Sequence, residues 1–340
     1  MIITTHAFAR AGLVGNPSDG YFGKTISVIV RDFRCTVRLW ESPHFEIVPD
    51  RSDLAKYDSV ADFLKESRLM GYYGAMRLIK ATVKRFHETC LKRGKTLDPH
   101  KNFTLGFESD IPRLVGLSGS SAIVIATLRA LMKFYDVQFE QSEIPTLALG
   151  VETQELDIAA GLQDRVIQTY EGMVYMDFDK AKIEKDGIGT YTPIRPEKMP
   201  TIYIAYDPDR AEVSGIAHRN LRKAWESGDA EVVGAMERLK QLTDEAKAAI
   251  ERNDMDALHR ITNENFEVRK SIMPIAPENQ KMIDAARSVG ASAKFAGSGG
   301  AIVGVYQDGA QLAQVKAALG ELGCETILPS VFPAPGEKVD

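Results

Sequence analysis

A glycine- and serine-rich segment, residues 116–121 (GLSGSS), runs directly into a stretch of helical character. Small residues before a helix leave backbone N–H groups and the positive end of the helix dipole open to a phosphate. Serine hydroxyls there can also donate to phosphate oxygens or bind Mg²⁺. The same composition occurs in a plain serine-capped helix start, so this segment alone leaves both interpretations open. It is neither a Walker A loop nor a Rossmann fingerprint.

Two further segments contain residue types that could take part in chemistry. Residues 294–301 (KFAGSGGA) are glycine-rich but lie between two strand-like runs, which by itself indicates a tight hairpin turn. Asp164 could accept a hydroxyl proton or bind a metal, although a single aspartate in a loop is more often a cap or turn residue. Glu152 lies in a helical stretch, where it could equally be a solvated surface charge.

The overall composition narrows the class of protein. The chain has 340 residues, a net charge of −5 and 44% hydrophobic residues, which is typical of a globular protein large enough for two domains. The acidic balance argues against nucleic-acid binding, and no apolar run reaches the length of a membrane span. Three widely spaced cysteines and no N-terminal secretory signal favour a reduced, cytoplasmic protein.

The elements that must position these residues follow from hydrophobic periodicity and turn residues. Two β-branched runs at 25–30 and 35–39 predict strands joined by a hairpin through 31–34. Further strands are predicted at 102–107, 172–177, 190–194, 201–206, 293–295, 301–306 and 326–328. Helices are predicted at 73–93, 120–135, part of 142–170, 229–251, 255–271, 278–288 and 310–322. Strands and helices in both halves indicate an α+β protein.

A proline-bearing stretch at 193–200 predicts the boundary between an N-terminal domain, 1–195, and a C-terminal domain, 196–340. The segments with chemical potential come from both halves. We therefore expect an active site in the cleft between two lobes.

The order of these segments resembles the GHMP kinases, which include galactokinases, mevalonate kinases and homoserine kinases. Residues 9–19 (ARAGLVGNPSD) look like the first motif of that family, and the segments around 116–121, 161–164 and 294–300 follow in the family's order. Within the family, the chain resembles the glucuronokinases, which phosphorylate the anomeric hydroxyl of D-glucuronate. The shared segments are 15–27, 71–74, 116–124, 160–166, 172–178 and 294–301.

The resemblance implies a two-lobed fold with an N-terminal ATP-binding lobe and a C-terminal α/β sandwich lobe. It implies that Asp164 faces the substrate hydroxyl, either as general base or to orient the hydroxyl late in a loose transition state. It further implies that Arg10 lowers the pKa of that hydroxyl and neutralises developing charge, with ATP and Mg²⁺ as cofactors. The implied metal ligands are Ser120 and Glu152, with Ser121 and Glu155 as alternatives. The implied ATP-binding residues are Pro112, Gly116, Leu117, Ser118, Gly119, Ser120 and Ser121.

The resemblance also implies a small-molecule sugar or uronic acid substrate. Its implied binding residues are Asn16, Asp19, Lys24, Arg165, Gly297, Ser298 and Gly299. A uronate needs a cation for its carboxylate, and Lys24, Arg31 and Arg165 are unranked candidates. We expect a monomer or homodimer with no nucleic-acid or membrane partner.

Three alternatives compete with this interpretation. The chain could be a GHMP kinase for a neutral hexose or a heptose, or a ligand-binding regulator that has lost catalysis. The presence of Arg10, Asp164 and the serine pair together speaks against the regulator. An oxidoreductase is disfavoured because the sequence has no strand–GxGxxG–helix unit followed by an acidic residue.

Overall fold

The computed structural model describes residues 2–49, 74–98, 100–209 and 215–334. The predicted segment 71–74 and the predicted start of the first helix at 73 therefore lie largely outside the described residues. The main chain of the described part forms two sheets, each covered by helices. The α+β fold class is confirmed.

The first sheet has six strands and belongs to the N-terminal half. Its order is β3-β4-β2-β5-β6, and β1 pairs with β2. The strands are β1 (Ile2–Val14), β2 (Lys24–Glu41), β3 (Glu46–Val48), β4 (Phe103–Ser109), β5 (Met173–Asp177) and β6 (Thr190–Ile194). The long central strand β2 brings β1, β4 and β5 into one sheet because it pairs with each of them.

The predicted hairpin through 31–34 is wrong, since the two β-branched runs belong to one continuous strand, β2. Strand β1 pairs with it from Ile2 opposite Trp40 to Val14 opposite Ile26. The register shifts where Phe8 faces Arg34 and the next residue of β1 faces Val30. The charged residues between the two β-branched runs are thus extra residues of β2 that form a bulge opposite β1. A sequence pattern cannot distinguish such a bulge from a turn.

Five helices accompany the first sheet: α1 (Ala75–Lys92), α2 (Gly119–Tyr135), α3 (Ile144–Gly150), α4 (Gln163–Tyr170) and α5 (Lys180–Asp186). A single π-helical turn, Val151–Glu155, continues α3. Helix α2 is apolar on almost all sides because it lies between β1, β2 and other helices. Its N-terminus is thereby fixed at the point where the 116–121 segment enters it.

The second sheet is antiparallel, with the order β10-β7-β9-β8. Its strands are β7 (Ile202–Tyr206), β8 (Lys294–Phe295), β9 (Ala301–Val305) and β10 (Glu325–Ile327). The helices of this half are α6 (Gly215–Glu226), α7 (Ala230–Glu251), α8 (Met255–Ile272), α9 (Pro277–Ser288) and α10 (Gly309–Gly320). The carboxylates of Asp229 and Asp254 accept hydrogen bonds from the first-turn amides of α7 and α8 and so set where these helices begin.

The change from one sheet to the other falls between Ile194 and Ile202, within the predicted boundary region. The division into 1–195 and 196–340 stays a prediction. The two halves are in close contact, since Thr243 Oγ1 on α7 donates to the carbonyl oxygen of Lys24 on β2 at 3.0 Å. None of the helices in the described ranges has the length and apolar character needed to cross a bilayer.

Candidate active site

A cleft of about 540 Å³ is lined by residues from both halves of the chain. From the N-terminal half it receives Arg10 of β1, the 3₁₀ turn after β1, the N-terminus of α2, and the π-helical turn with the start of α4. From the C-terminal half it receives α6, α8 and the turn between β8 and β9. Its lining includes Arg10, Asn16, Asp19, Gly20, Tyr21, Ser120, Glu152, Gln163, Asp164, Arg165, Arg222, Lys223, Glu226, Arg269, Gly297 and Ser298.

Arg10 and Asp164 form an ion pair in this cleft. Arg10 Nε donates to Asp164 Oδ1 at 2.6 Å, and Arg10 Nη1 donates to the carbonyl oxygens of Gly116 at 2.6 Å and Ala296 at 3.2 Å. The Arg10 side chain is 7% exposed and that of Asp164 is 23% exposed. One arginine therefore ties the carboxylate to two backbone segments, and one of them comes from the other half of the chain.

The second oxygen of Asp164 is also engaged. Ser118 Oγ donates to Oδ2 at 2.7 Å, and Arg165 Nη1 lies 3.6 Å from the same oxygen. Burial by itself would raise the pKa of Asp164, but the charges of Arg10 and Arg165, with hydrogen bonds from Arg10 and Ser118, lower it to about 2. Asp164 is thus a carboxylate at neutral pH, with lone pairs left to accept a further hydrogen bond.

Arg165 and Glu152 form a second ion pair that is almost fully buried. Arg165 Nη2 donates to Glu152 Oε2, and Arg165 Nη1 donates to the carbonyl oxygen of Gly161 at 2.8 Å. The two side chains are 3% and 1% exposed. The pair joins the π-helical turn to α4, the helix that carries Asp164 in its first turn.

Asp19 lies close to the same helix. Its Oδ2 accepts from the backbone amide of Gln163 at 3.4 Å, and a Cβ on Gly161 would collide with this oxygen. Burial, together with the negative charge of Asp164, raises the pKa of Asp19 to about 6 although the Gln163 amide opposes the shift. Keeping Asp19 ionised beside the Asp164 carboxylate therefore costs free energy of folding. Such strained charges are typical of functional sites.

The segment before α2 brings small residues to the cleft. Gly116 has a φ of +77°, and a Cβ there would lie 2.6 Å from the carbonyl oxygen of Gly299, so glycine is required. Ser118 is the N-cap residue of α2, with its backbone in the left-handed region, and its hydroxyl donates to Asp164 instead of capping the helix. Pro112 and Leu117 lie in the loop that precedes α2, and Gly119 is the first residue of the helix. Of the residues at this helix start, Ser120 lines the cleft.

The glycine-rich segment of the C-terminal half packs directly on this loop. It forms the turn between the antiparallel strands β8 and β9, as the hairpin interpretation requires. Two of its residues, Gly297 and Ser298, also line the cleft. Arg269 of α8 donates to the carbonyl oxygens of both, at 2.7 and 2.6 Å. A Cβ on Gly297 would collide with Gly116 O and would lie 2.9 Å from Arg10 Nη1. Gly299 contacts Gly116 but does not line the cleft.

Lys294 connects the same segment to the first motif. Its Nζ donates to the carbonyl oxygen of Gly12 at 2.6 Å, to Asn16 Oδ1 at 2.5 Å and to the carbonyl oxygen of Phe295 at 2.8 Å. Burial and the nearby charges of Arg269 and Arg10 hold the pKa of Lys294 well below its usual value. Asn16, which lines the cleft, is therefore held by a buried lysine from the other half.

The residues present fit a magnesium ion carried by a nucleotide. Ser120 and Glu152 both reach the cleft and supply a hydroxyl and a carboxylate oxygen. Within the described ranges, no group of three or more acidic, histidine or cysteine side chains is arranged so that it could hold a metal ion by itself. Mg²⁺ bound with substrate phosphates takes only one or two protein carboxylates, so two donors suffice.

The structure distinguishes the alternative metal ligands by position. Ser121 is buried, and its hydroxyl donates to the carbonyl oxygen of Ser118 at 3.2 Å. Glu155 pairs with Lys84 at 2.5 Å and with Arg85 at 3.6 Å, and it does not line the cleft. Ser120 and Glu152 are therefore better placed than Ser121 and Glu155.

Two of the cations considered for a uronate carboxylate do not line the cleft. Lys24 Nζ pairs with Asp244 at 2.8 Å and lies 3.5 Å from Asp177, and Arg31 pairs with Glu171 at 2.8 Å. Arg165 does reach the cleft, but Glu152 already engages it. The lining residues that the sequence did not predict include Gln163 and three cations, Arg222, Lys223 and Arg269. Helical periodicity between 215 and 226 was the available signal for two of them.

Known protein families match segments in both halves of the chain. Residues 77–172 match the family model "GHMP kinases N terminal domain", and residues 246–323 match "GHMP kinases C terminal". The chain is 41% identical to "Probable glucuronokinase 2" of Arabidopsis thaliana, covering 87% of this chain and 82% of that protein. It is 39% identical to "Glucuronokinase 1" of the same plant, covering 88% and 84%.

A solved structure shares the fold at lower identity. The phosphomevalonate kinase of Streptococcus pneumoniae, in complex with phosphomevalonate and AMPPNP, aligns with a TM-score of 0.77 at 14% identity and covers 97% of this chain and 100% of that chain. At such identity the likeness supports the fold alone. Together with the two family models, the two plant relatives show that the chain belongs to the GHMP kinases.

Proposed function

We propose that this kinase transfers the γ-phosphoryl group of ATP to the anomeric hydroxyl of D-glucuronate, giving glucuronate 1-phosphate and ADP. The observation that carries the proposal is 39–41% identity over more than four-fifths of two proteins named glucuronokinases. The cleft supports it, because Arg10 and Asp164 lie within reach of a substrate bound between the two halves.

In the proposed reaction Asp164 accepts a hydrogen bond from the anomeric hydroxyl. A pKa of about 2 makes Asp164 a weak base, so early proton removal is not its main contribution. Phosphoryl transfer has a loose transition state, in which the attacking oxygen needs to be oriented and loses its proton late. Asp164 thus orients the hydroxyl and receives the proton as the new O–P bond forms.

Arg10 supplies positive charge at the same point. Its guanidinium fixes Asp164 through Nε and is itself fixed by the Gly116 and Ala296 carbonyl oxygens. Preorganised charge costs no reorganisation during the reaction, which is the main source of electrostatic catalysis. In this proposal Arg10 neutralises negative charge that develops between the hydroxyl and the phosphoryl group.

The phosphates of ATP are proposed to lie over residues 116–121 at the N-terminus of α2, with Ser120 and Glu152 holding Mg²⁺. When bound, the metal neutralises charge on the phosphate oxygens. Asn16, Asp19, Gly297 and Ser298 surround the remaining space and are proposed to contact the sugar. We place the enzyme in the cytoplasm, consistent with three cysteines that are all buried.

A coupled assay of ADP release with uronates, hexoses and heptoses tests the proposal. We expect the kcat/KM for glucuronate to exceed that for glucose and galactose, because a cation built to bind a carboxylate is left unpaired by a neutral sugar. Equal or greater kcat/KM for a neutral hexose or a heptose would reject glucuronate as the substrate. ADP release with none of these sugars would favour a non-catalytic role.

A further inference from the structure

The cleft contains several cations, and most of them are already engaged by protein acceptors. Arg10 binds Asp164, Arg165 binds Glu152, and Arg269 donates to the carbonyl oxygens of Gly297 and Ser298. Each of these three arginines is buried. A substrate carboxylate would have to compete with an existing partner to bind any of them.

Arg222 on α6 differs from these three. It is exposed and lines the cleft, and its guanidinium carbon lies 4.7 Å from the ring centroid of Tyr21 and 6.0 Å from that of Trp225. No carboxylate in the described part of the chain lies within ion-pairing distance of it. A guanidinium over an aromatic face keeps its in-plane N–H donors for another partner, and its planar fork matches a carboxylate.

The aromatic platform under Arg222 is itself packed. The Tyr21 and Trp225 rings meet edge to face at 5.6 Å, and Phe22 contacts Trp225 at 5.8 Å. Such packing limits the rotamers available to Arg222, so that less conformational entropy is lost when the guanidinium binds a ligand.

The 3₁₀ turn Ser18–Tyr21 connects Arg222 to the Asp164 end of the cleft. Asp19 accepts from the amide of Gln163, the residue before Asp164. In the next residue, a Cβ built on Gly20 would lie 3.4 Å from Arg222 Nη2. The turn thus extends from the N-terminus of α4 to the Arg222 guanidinium, and it lines the cleft between these two points.

We propose that Arg222 binds the carboxylate of the uronate and sets the preference for uronates over neutral sugars. The inference rests on the proposed function, since it names the residue that recognises the substrate. Glucuronate carries its reactive hydroxyl and its carboxylate on the two sides of the ring oxygen. With the hydroxyl at Asp164, the carboxylate points to a second place in the same cleft, and Arg222 is a cation there without a competing carboxylate.

Two other charges on the same helix face the cleft, Lys223 and Glu226. Glu226 lies one helical turn from Arg222 and would repel a uronate. Lys223 is a positive neighbour without a ring contact among the described residues, and it therefore provides a matched control. Arg222→Gln and Lys223→Gln each remove one exposed positive charge from adjacent positions of one helix.

The test measures kcat and KM for glucuronate, glucose and ATP in the wild type and in Arg222→Gln, Arg222→Lys and Lys223→Gln. For Arg222→Gln we expect kcat/KM for glucuronate to fall about 10- to 100-fold, mainly through KM. The KM for ATP, any turnover of glucose and the melting temperature should stay close to the wild type. Arg222→Lys should recover part of the loss, and Lys223→Gln should change kcat/KM by about twofold or less.

A salt series adds a measurement that a purely structural role would not affect. Added NaCl should raise the KM for glucuronate in the wild type more than in Arg222→Gln, because screening weakens an accessible ion pair. If the wild type prefers glucuronate while Arg222→Gln keeps that preference, the inference is overturned and the proposed function stands. If only Lys223→Gln loses the preference for glucuronate, Lys223 binds the carboxylate and the inference about Arg222 is overturned. If the wild type shows no preference for uronates, both the function and the inference fail.

Discussion

Arg10 Nε lies 2.6 Å from Asp164 Oδ1, which joins the middle of β1 to the first turn of α4 across 154 residues of sequence. The same guanidinium reaches a backbone carbonyl oxygen of the C-terminal half at Ala296. The C-terminal half therefore also helps to hold the guanidinium of the pair in place.

Asp164→Asn keeps the size of the side chain but removes its charge. We expect kcat to fall by about 10² to 10⁴, with the KM for ATP little changed, because the hydroxyl loses its acceptor in the transition state. Asp177→Asn, which removes a surface partner of Lys24, is the control and should keep kcat. A variant at position 164 with near wild-type kcat and a lowered melting temperature would make Asp164 a structural residue.

Asp19→Asn should stabilise the protein at neutral pH. The folded-state pKa is about 6, above that of an unfolded aspartate near 3.9. Between these values the folded state binds more protons than the unfolded state, so stability falls as pH rises from about 4 to 6. The free energy of unfolding of the variant should exceed that of the wild type by on the order of 1–3 kcal/mol at pH 7.

Urea unfolding at pH 4 and at pH 7 measures this difference. The advantage of Asp19→Asn should be small at pH 4 and reach its full size above pH 6, while the KM for the sugar rises. A difference in unfolding free energy that does not depend on pH would show that burial does not penalise the Asp19 carboxylate.

Glu152→Gln should weaken the response to magnesium. Removing the carboxylate takes away the proposed charged metal ligand and also leaves the buried Arg165 without its partner, which costs about 3–5 kcal/mol of stability. We therefore expect a higher Mg²⁺ concentration at half-maximal turnover as well as a lower melting temperature. Glu155→Gln is the control, since Glu155 pairs with Lys84 outside the cleft. An unchanged Mg²⁺ dependence in Glu152→Gln would remove Glu152 from the metal site.

Gly297→Ala should separate the two glycine-rich segments. The added methyl group would collide with Gly116 O and would lie 2.9 Å from Arg10 Nη1, so the turn has to move away from Gly116 and Arg10. We expect kcat/KM to fall by about 10² or more, as displacements of about 1 Å do in positioned sites. Gly309→Ala, where a methyl group meets open space, should leave kcat/KM unchanged. Equal activity in the two variants would contradict close packing of the segments.

Much of the fold could be predicted from the sequence. The helices from Ala75, Ala230 and Met255 have strong apolar periodicity, and the structure begins and ends them within about two residues of the prediction. The bulge in β2 could not be predicted, since charged residues between β-branched runs are equally typical of a turn. The helix from Gly215 was missed altogether, and with it Arg222.

The site was predictable only in part, for a physical reason. Periodicity reports which residues share a face of one element, whereas Arg10, Asp164 and Gly297 lie on three elements brought together by tertiary packing. Their association came from resemblance to a family. Whether a cation is available to a ligand depends on its neighbours, and Asp244, which binds Lys24, is 220 residues away in the sequence.

The central claim concerns the position of the phosphate, and one measurement tests it directly. The purified enzyme is incubated with ATP and glucuronate, and released ADP and the remaining reducing ends are counted in the same samples. Phosphorylation of the anomeric hydroxyl blocks the reducing end, so we predict the loss of one reducing end for each ADP released. ADP released with the reducing ends intact would place the phosphate on another hydroxyl and contradict the account.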